Sequence, residues 1–139
     1  MTSIDIIENK RSAIEKYLKI LKTYKKYSQK IIKQNVTLKG AVERYLYLVI
    51  QSAIDLAEAV ISFKNLRKPT EYRETFEILF EEHLIPNSLK EKLIKMTGFR
   101  NVVAHDYTKL DFAVVYNVLK NRLVDIQQFS VAIKKQFKL

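Results

Sequence analysis

Residues Val42 to Ile61 read VERYLYLVIQSAIDLAEAVI, and this stretch decides the fold. Val42, Tyr45, Leu46, Val49, Ile50, Ala53, Leu56, Ala57, Val60 and Ile61 recur at three- and four-residue steps, the period of a helix and not of a strand. The helix they predict runs from Leu38 to about Phe63, and its apolar face is wider than one core contact requires. A face that broad serves two interfaces, either inside a bundle or between subunits. Asp55 interrupts it. An unpaired carboxylate there is costly, so Asp55 is expected to meet a cation or to line the edge of a polar cleft.

Upstream, residues 3–34 contain neither Gly nor Pro and place Ile7, Ile14, Leu18 and Leu21 on one stripe, flanked by Tyr17, Tyr24, Tyr27 and Ile31. This predicts one long amphipathic helix with a lysine-rich outer face, broken from the next at Asn35-Val36-Thr37, where Asn35 or Thr37 can cap. Downstream, Thr70 and Glu71 open a short third helix carrying Tyr72, Phe76, Leu79 and Phe80 and ending near His83, since Pro86 follows. Ser88-Leu89-Lys90-Glu91 has the capping-box pattern and starts a fourth. Asp111 caps a fifth, with Phe112, Tyr116, Leu119, Leu123, Ile126, Ile133 and Phe137 as its apolar positions. The expected fold is all-α, an antiparallel bundle of about five helices forming a single domain over residues 1–139.

Composition narrows the function. The absence of cysteine excludes disulfides, thiolate zinc sites, iron–sulfur clusters and thiol nucleophiles. The longest uncharged run, Tyr45 to Ile54, is half of the roughly 20 residues that span a bilayer. With no apolar leader core at the N-terminus, a cytoplasmic protein is expected. The net charge of +10 points to an anionic partner, and residues 1–40 hold most of the excess, with ten Lys/Arg against three Asp/Glu. His83 beside Glu81 and Glu82 lacks a matching ligand set and reads as a solvated helix end; no metal and no cofactor are expected.

Chemically capable side chains gather in one place, Arg100, Asn101, His105 and Tyr107, spelling R-N-x-x-x-H-x-Y. Arg100 falls on the apolar stripe of Leu89, Leu93, Met96 and Val103. A guanidinium cannot shed its charge, so it needs either an ion pair, for which Asp55 is the candidate, or a cleft where it awaits a phosphate. Asn101 and His105 are four apart and share a face, so Asn101 can hold an imidazole nitrogen and orient His105. Arg100 and His105 diverge by roughly 140° on an ideal helix and converge only if the helix ends near His105. A histidine that moves protons and an arginine that binds a phosphodiester suit metal-free RNA cleavage by the 2′-hydroxyl. The second proton-transfer group would be His105 of a second subunit.

The segment Gly98-Phe99-Arg100-Asn101 through His105-Asp106-Tyr107 resembles the R-x4-H-x-Y signature of HEPN-domain toxins of the HepT type. Glu43-Arg44-Tyr45-Leu46, Ala53-Ile54-Asp55-Leu56-Ala57, Tyr72-Arg73-Glu74, Phe76 and Ile85-Pro86 resemble that family's text in the same order, over roughly residues 1–137. The resemblance implies a five-helix homodimer with paired motifs in a cleft and ribonuclease activity in a prokaryotic type VII toxin–antitoxin module. It makes Arg100 and His105 the catalytic pair. It also implies an MntA-like antitoxin of the nucleotidyltransferase fold that transfers AMP to Tyr107. Two other readings stay open: a non-catalytic HEPN module that binds a nucleotidyltransferase partner or a nucleotide, and a helical interaction protein whose motif is an ion-paired helix end.

Overall fold

Seven α-helices make up the computed structural model, which describes residues 3–105 and 107–139, the Tyr107 side chain excepted. They are α1 (Ile4–Tyr24), α2 (Gln29–Gln34), α3 (Val36–Phe63), α4 (Tyr72–Glu81), α5 (Asn87–His105), α6 (Phe112–Asn117) and α7 (Leu123–Phe137). A 3-10 turn, Tyr107–Lys109, precedes α6, and a π-helical turn, Val118–Arg122, joins α6 to α7. The described residues contain no strand, and the bundle is all-α as expected.

The centre is α3. Its apolar face is as broad as its sequence requires: α1 lies along it, and α4, α5 and α7 meet it on other sides. Val42, Leu46, Val49, Ile54, Leu56, Ala57 and Val60 are sealed from water. Although its strictly uncharged run is short, α3 as a whole has the length and composition to cross a membrane. More than half of that apolar window is instead buried under the neighbouring helices, which identifies it as a core helix. Phe76 of α4 and Phe129 of α7 meet edge to face at 5.5 Å and close the far side of the core.

The long first helix is two. It stops at Tyr24 and restarts at Gln29, because the Ser28 hydroxyl accepts from Ile31 N at 3.2 Å and caps α2. The break frees backbone carbonyls, and α6 and the π-helical turn supply donors: Tyr116 Oη donates to Tyr27 O at 3.0 Å and Lys120 Nζ to Lys25 O at 3.0 Å. The restart also changes the register, so that Ile32 is buried and Ile31 half exposed.

Three other boundaries were well marked and one shifted. Asn35 caps α3 by accepting from Leu38 N, Asp111 caps α6 by accepting from Ala113 N, and exposed His83, at φ 59°, ends α4 in the left-handed region. The fourth expected helix starts two residues early: Lys90 N donates to Pro86 O, and Glu91 accepts from the Asn87 side chain instead of capping Ser88. Between α3 and α4, Arg67 bridges Glu74 at 2.7 Å and Glu81 at 2.8 Å, tying the connection to α4 and fixing where Tyr72 begins it.

Candidate active site

The α5 stripe is buried as the spacing predicts, with Leu89, Leu93, Met96 and Arg100 all facing inward. Arg100 is only 8% exposed, a burial that demands compensation for its charge. It receives this without an ion pair among the described residues. Nε donates to Gln51 Oε1 at 2.8 Å, Nη1 to Asn101 Oδ1 at 3.1 Å and Nη2 to Tyr47 Oη at 3.3 Å. The guanidinium also lies against two aromatic rings, 4.9 Å from the Tyr72 centroid and 5.2 Å from that of Tyr47.

The two sequence expectations for Arg100 are thereby sorted. Asp55 does not reach it: the half-buried carboxylate accepts from Gln51 Nε2 at 2.9 Å, so Gln51 relays between them. A cleft does. About 420 Å³ of open space is lined by Glu43, Arg44, Tyr47, Arg100, Val103, Ala104, His105 and Leu110. Arg100 and His105 share it because α5 terminates at His105, the condition their angular divergence imposed.

The amide oxygen of exposed Asn101 is turned to Arg100, and no described hydrogen bond joins Asn101 to His105. The imidazole of His105 is exposed at the helix end. Tyr107 begins the 3-10 turn that follows; its side chain, and with it the expected modification position, lies outside the described residues, as does Asp106.

Five contributors were missing from the sequence reading: Glu43, Arg44, Tyr47, Gln51 and Tyr72. Tyr47, Gln51 and Asp55 stand four apart on α3, so one polar file crosses the apolar helix, with Tyr47 at the cleft and Gln51 and Asp55 behind it. Gln51 was the available signal, a polar residue inside the uncharged run. Arg44, exposed at the rim, lies 5.5 Å from the Tyr47 centroid, so that ring has a guanidinium at 5.5 Å and another at 5.2 Å. Glu43 is drawn toward Lys39 at 3.8 Å, which leaves the cleft with a positive bias suited to a phosphate. Among the described residues no cluster of three metal-ligating side chains occurs.

Comparison with known proteins gives concordant matches. The ribonuclease HepT-like family matches residues 14–133. The chain is 35% identical over 133 residues to the mRNA nuclease HepT of Shewanella oneidensis, covering 95% of this chain and 98% of that protein. It is 26% identical over 137 residues to the tRNA nuclease HepT of Aphanizomenon flos-aquae, covering 97% and 91%. Its structure superposes with a TM-score of 0.86, at 32% identity and over 94% of this chain and 98% of the other, on a tri-AMPylated Shewanella oneidensis HEPN toxin in complex with its MNT antitoxin. The central α3, the α5 motif and these matches together lead to one assignment: the chain belongs to the ribonuclease HepT-like family.

Proposed function

We propose that this protein is the toxin of a prokaryotic type VII toxin–antitoxin module, a single-domain cytoplasmic endoribonuclease that cuts RNA without a metal at a homodimer cleft. The observation that carries this is the presence of Arg100 and His105 in one positively biased cleft. His105 accepts the proton of a 2′-hydroxyl, whose oxygen attacks the adjacent phosphorus. Arg100, and Arg44 at the rim, hold the charge that builds on the phosphoryl oxygens. The P–O5′ bond breaks, and the leaving oxygen takes a proton from His105 of the second subunit, giving a 2′,3′-cyclic phosphate and a 5′-hydroxyl. Asp55 through Gln51, and Asn101 directly, position the arginine.

The solved relative is AMPylated and bound to an MNT antitoxin. The same relationship is assigned to this chain: a nucleotidyltransferase-fold antitoxin, MntA-like, moves AMP from ATP to Tyr107, the deprotonated phenol oxygen bonding to the α-phosphorus as pyrophosphate leaves. The added charge and bulk beside His105 then exclude the RNA phosphate.

Purified protein incubated with RNA in EDTA should cut it, and Arg100→Ala or His105→Ala should abolish cutting. RNA left intact by the wild type would overturn the ribonuclease assignment. Labelled ATP with the antitoxin should mark the wild type and not Tyr107→Phe. One observation favours a second reading, a non-catalytic module that binds its partner or a nucleotide: three Arg100 nitrogens are already held by protein groups. In that case Arg100→Ala would unfold the chain, and His105→Ala would leave every binding property unchanged.

A further inference from the structure

Nearer the start of α5 a second pocket, of about 410 Å³, opens between that helix and the π-helical turn, and its chemistry is unlike that of the cleft. Asp125 lines it, 1% exposed, with neither carboxylate oxygen hydrogen-bonded among the described residues. Its nearest cation, Arg122 Nη1, stands 3.7 Å away, too far for a hydrogen bond. A buried carboxylate in that condition is expensive unless something donates to it. At the rim, Lys92, Lys95 and Arg122 present three positive charges, and Phe99 with Val114 and Val118 supplies an apolar wall. The π turn that carries Val118 and Arg122 is a backbone irregularity of the kind concentrated at functional sites.

We infer that this pocket binds a guanine nucleotide. Two carboxylate oxygens side by side call for two adjacent N–H donors on one planar edge. Guanine offers them, N1–H beside the 2-amino group. Adenine and cytosine each set an acceptor nitrogen next to their amino group, which a carboxylate repels, and uracil has a single N–H between two carbonyls. The base stacks on Phe99, as bases do on aromatic side chains. Its phosphate lies among Lys92, Lys95 and Arg122, and Arg122, half exposed, uncovers Asp125 by turning outward to it. Phe99 is six residues, about 9 Å of helix rise, before His105. The two positions are also about 120° apart around α5, so a strand whose phosphate occupies the cleft sets a neighbouring guanine here by wrapping that helix; in that form the inference rests on the ribonuclease reading.

Isothermal titration of the full-length protein with GMP and AMP separates the outcomes. The wild type should prefer GMP by at least about tenfold. Asp125→Asn should lose GMP and gain XMP by similar factors, because the xanthine 2-carbonyl accepts from the new amide nitrogen; a carboxylate with a purely structural role would not exchange preferences. The paired exposed changes Lys92→Ala and Lys95→Ala, which leave the core intact, should weaken GMP about tenfold. Equal affinity for GMP and AMP, or unchanged GMP binding in these variants, overturns the inference. Cleavage of matched oligonucleotides with and without guanine identifies the source: a preference beside guanine places the base within the RNA, and selective GMP binding without that preference assigns a free nucleotide. RNA cutting by a protein that binds GMP no better than AMP would sink this inference and leave the ribonuclease standing, whereas GMP selectivity in a protein that cuts no RNA would do the reverse.

Discussion

Arg100 and Asp55 are joined through a single amide: Gln51 accepts from the arginine at 2.8 Å and donates to the aspartate at 2.9 Å. An amide can do both at once, which neither a carboxylate nor an ammonium can. Gln51→Leu keeps the bulk and removes both bonds. It should cost about 1–3 kcal/mol of stability in urea titrations and lower kcat for RNA cleavage more than it raises KM, since it loosens a positioned charge. Unchanged stability and kcat would remove Gln51 from the site.

Arg44 should behave in the opposite way. Exposed at the rim and without a described carboxylate partner, it is expected to contribute little to folding and much to RNA encounter. Arg44→Ala is expected to shift stability by less than about 0.5 kcal/mol. It should raise KM and flatten the log–log salt dependence of RNA binding by about 0.7, the loss of one phosphate contact on a single strand. A salt slope equal to that of the wild type would show that Arg44 touches no phosphate.

The proposed sharing of catalysis between two subunits has a signature in mixed dimers. Wild-type subunits paired with His105→Ala subunits should retain clearly less than half the activity of the wild-type dimer, because every cleft then lacks one proton-transfer group. Simple halving would mean that each subunit works alone.

Glu58 supplies a pH test of the scaffold. Partial desolvation first, and then Asp55 one helical turn away, push its carboxyl above the usual glutamate range, with Lys10 opposing. The folded state therefore holds this proton more tightly than the unfolded chain. The resulting stability is fully present below the unfolded value of about 4.3 and fades as pH rises through the elevated folded one. Glu58→Gln should match the wild type near pH 4 and melt at a higher temperature at pH 7. A melting difference that stays constant across that range would contradict the assignment.

Much of this architecture could be read from residue spacing, since caps and apolar steps are local. Asn35, Asp111 and the α3 face needed no tertiary information, and neither did the placement of Arg100 on a buried stripe. The division of α1 from α2 was hidden because Ser28 acts without a neighbouring Gly or Pro, and the compensating donors, Tyr116 and Lys120, lie some ninety residues away. The polar file of α3 was hidden for a similar reason. Gln51 and Tyr47 acquire their meaning only when α5 brings Arg100 against them, and Tyr72 only when Arg67 fixes the start of α4. Asn101 was expected to orient His105, four residues on, but its carbonyl accepts from the adjacent arginine, a neighbour that period-four reasoning passes over.

The π-helical turn gives the last helix two phases. The apolar steps from Phe112 to Phe137 look like one stripe with uneven spacing, yet α6 packs on α2 while α7 packs on α1, α3 and α5. Removing any one residue between Val118 and Arg122 would leave composition and caps nearly untouched and turn everything beyond by about 100°. Ile126, Phe129 and Ile133 would swing out of the core, and Asp125 would leave its pocket. Insertions and deletions there are thus far more damaging than substitutions, and the length of this turn, more than its side chains, is what the protein must preserve.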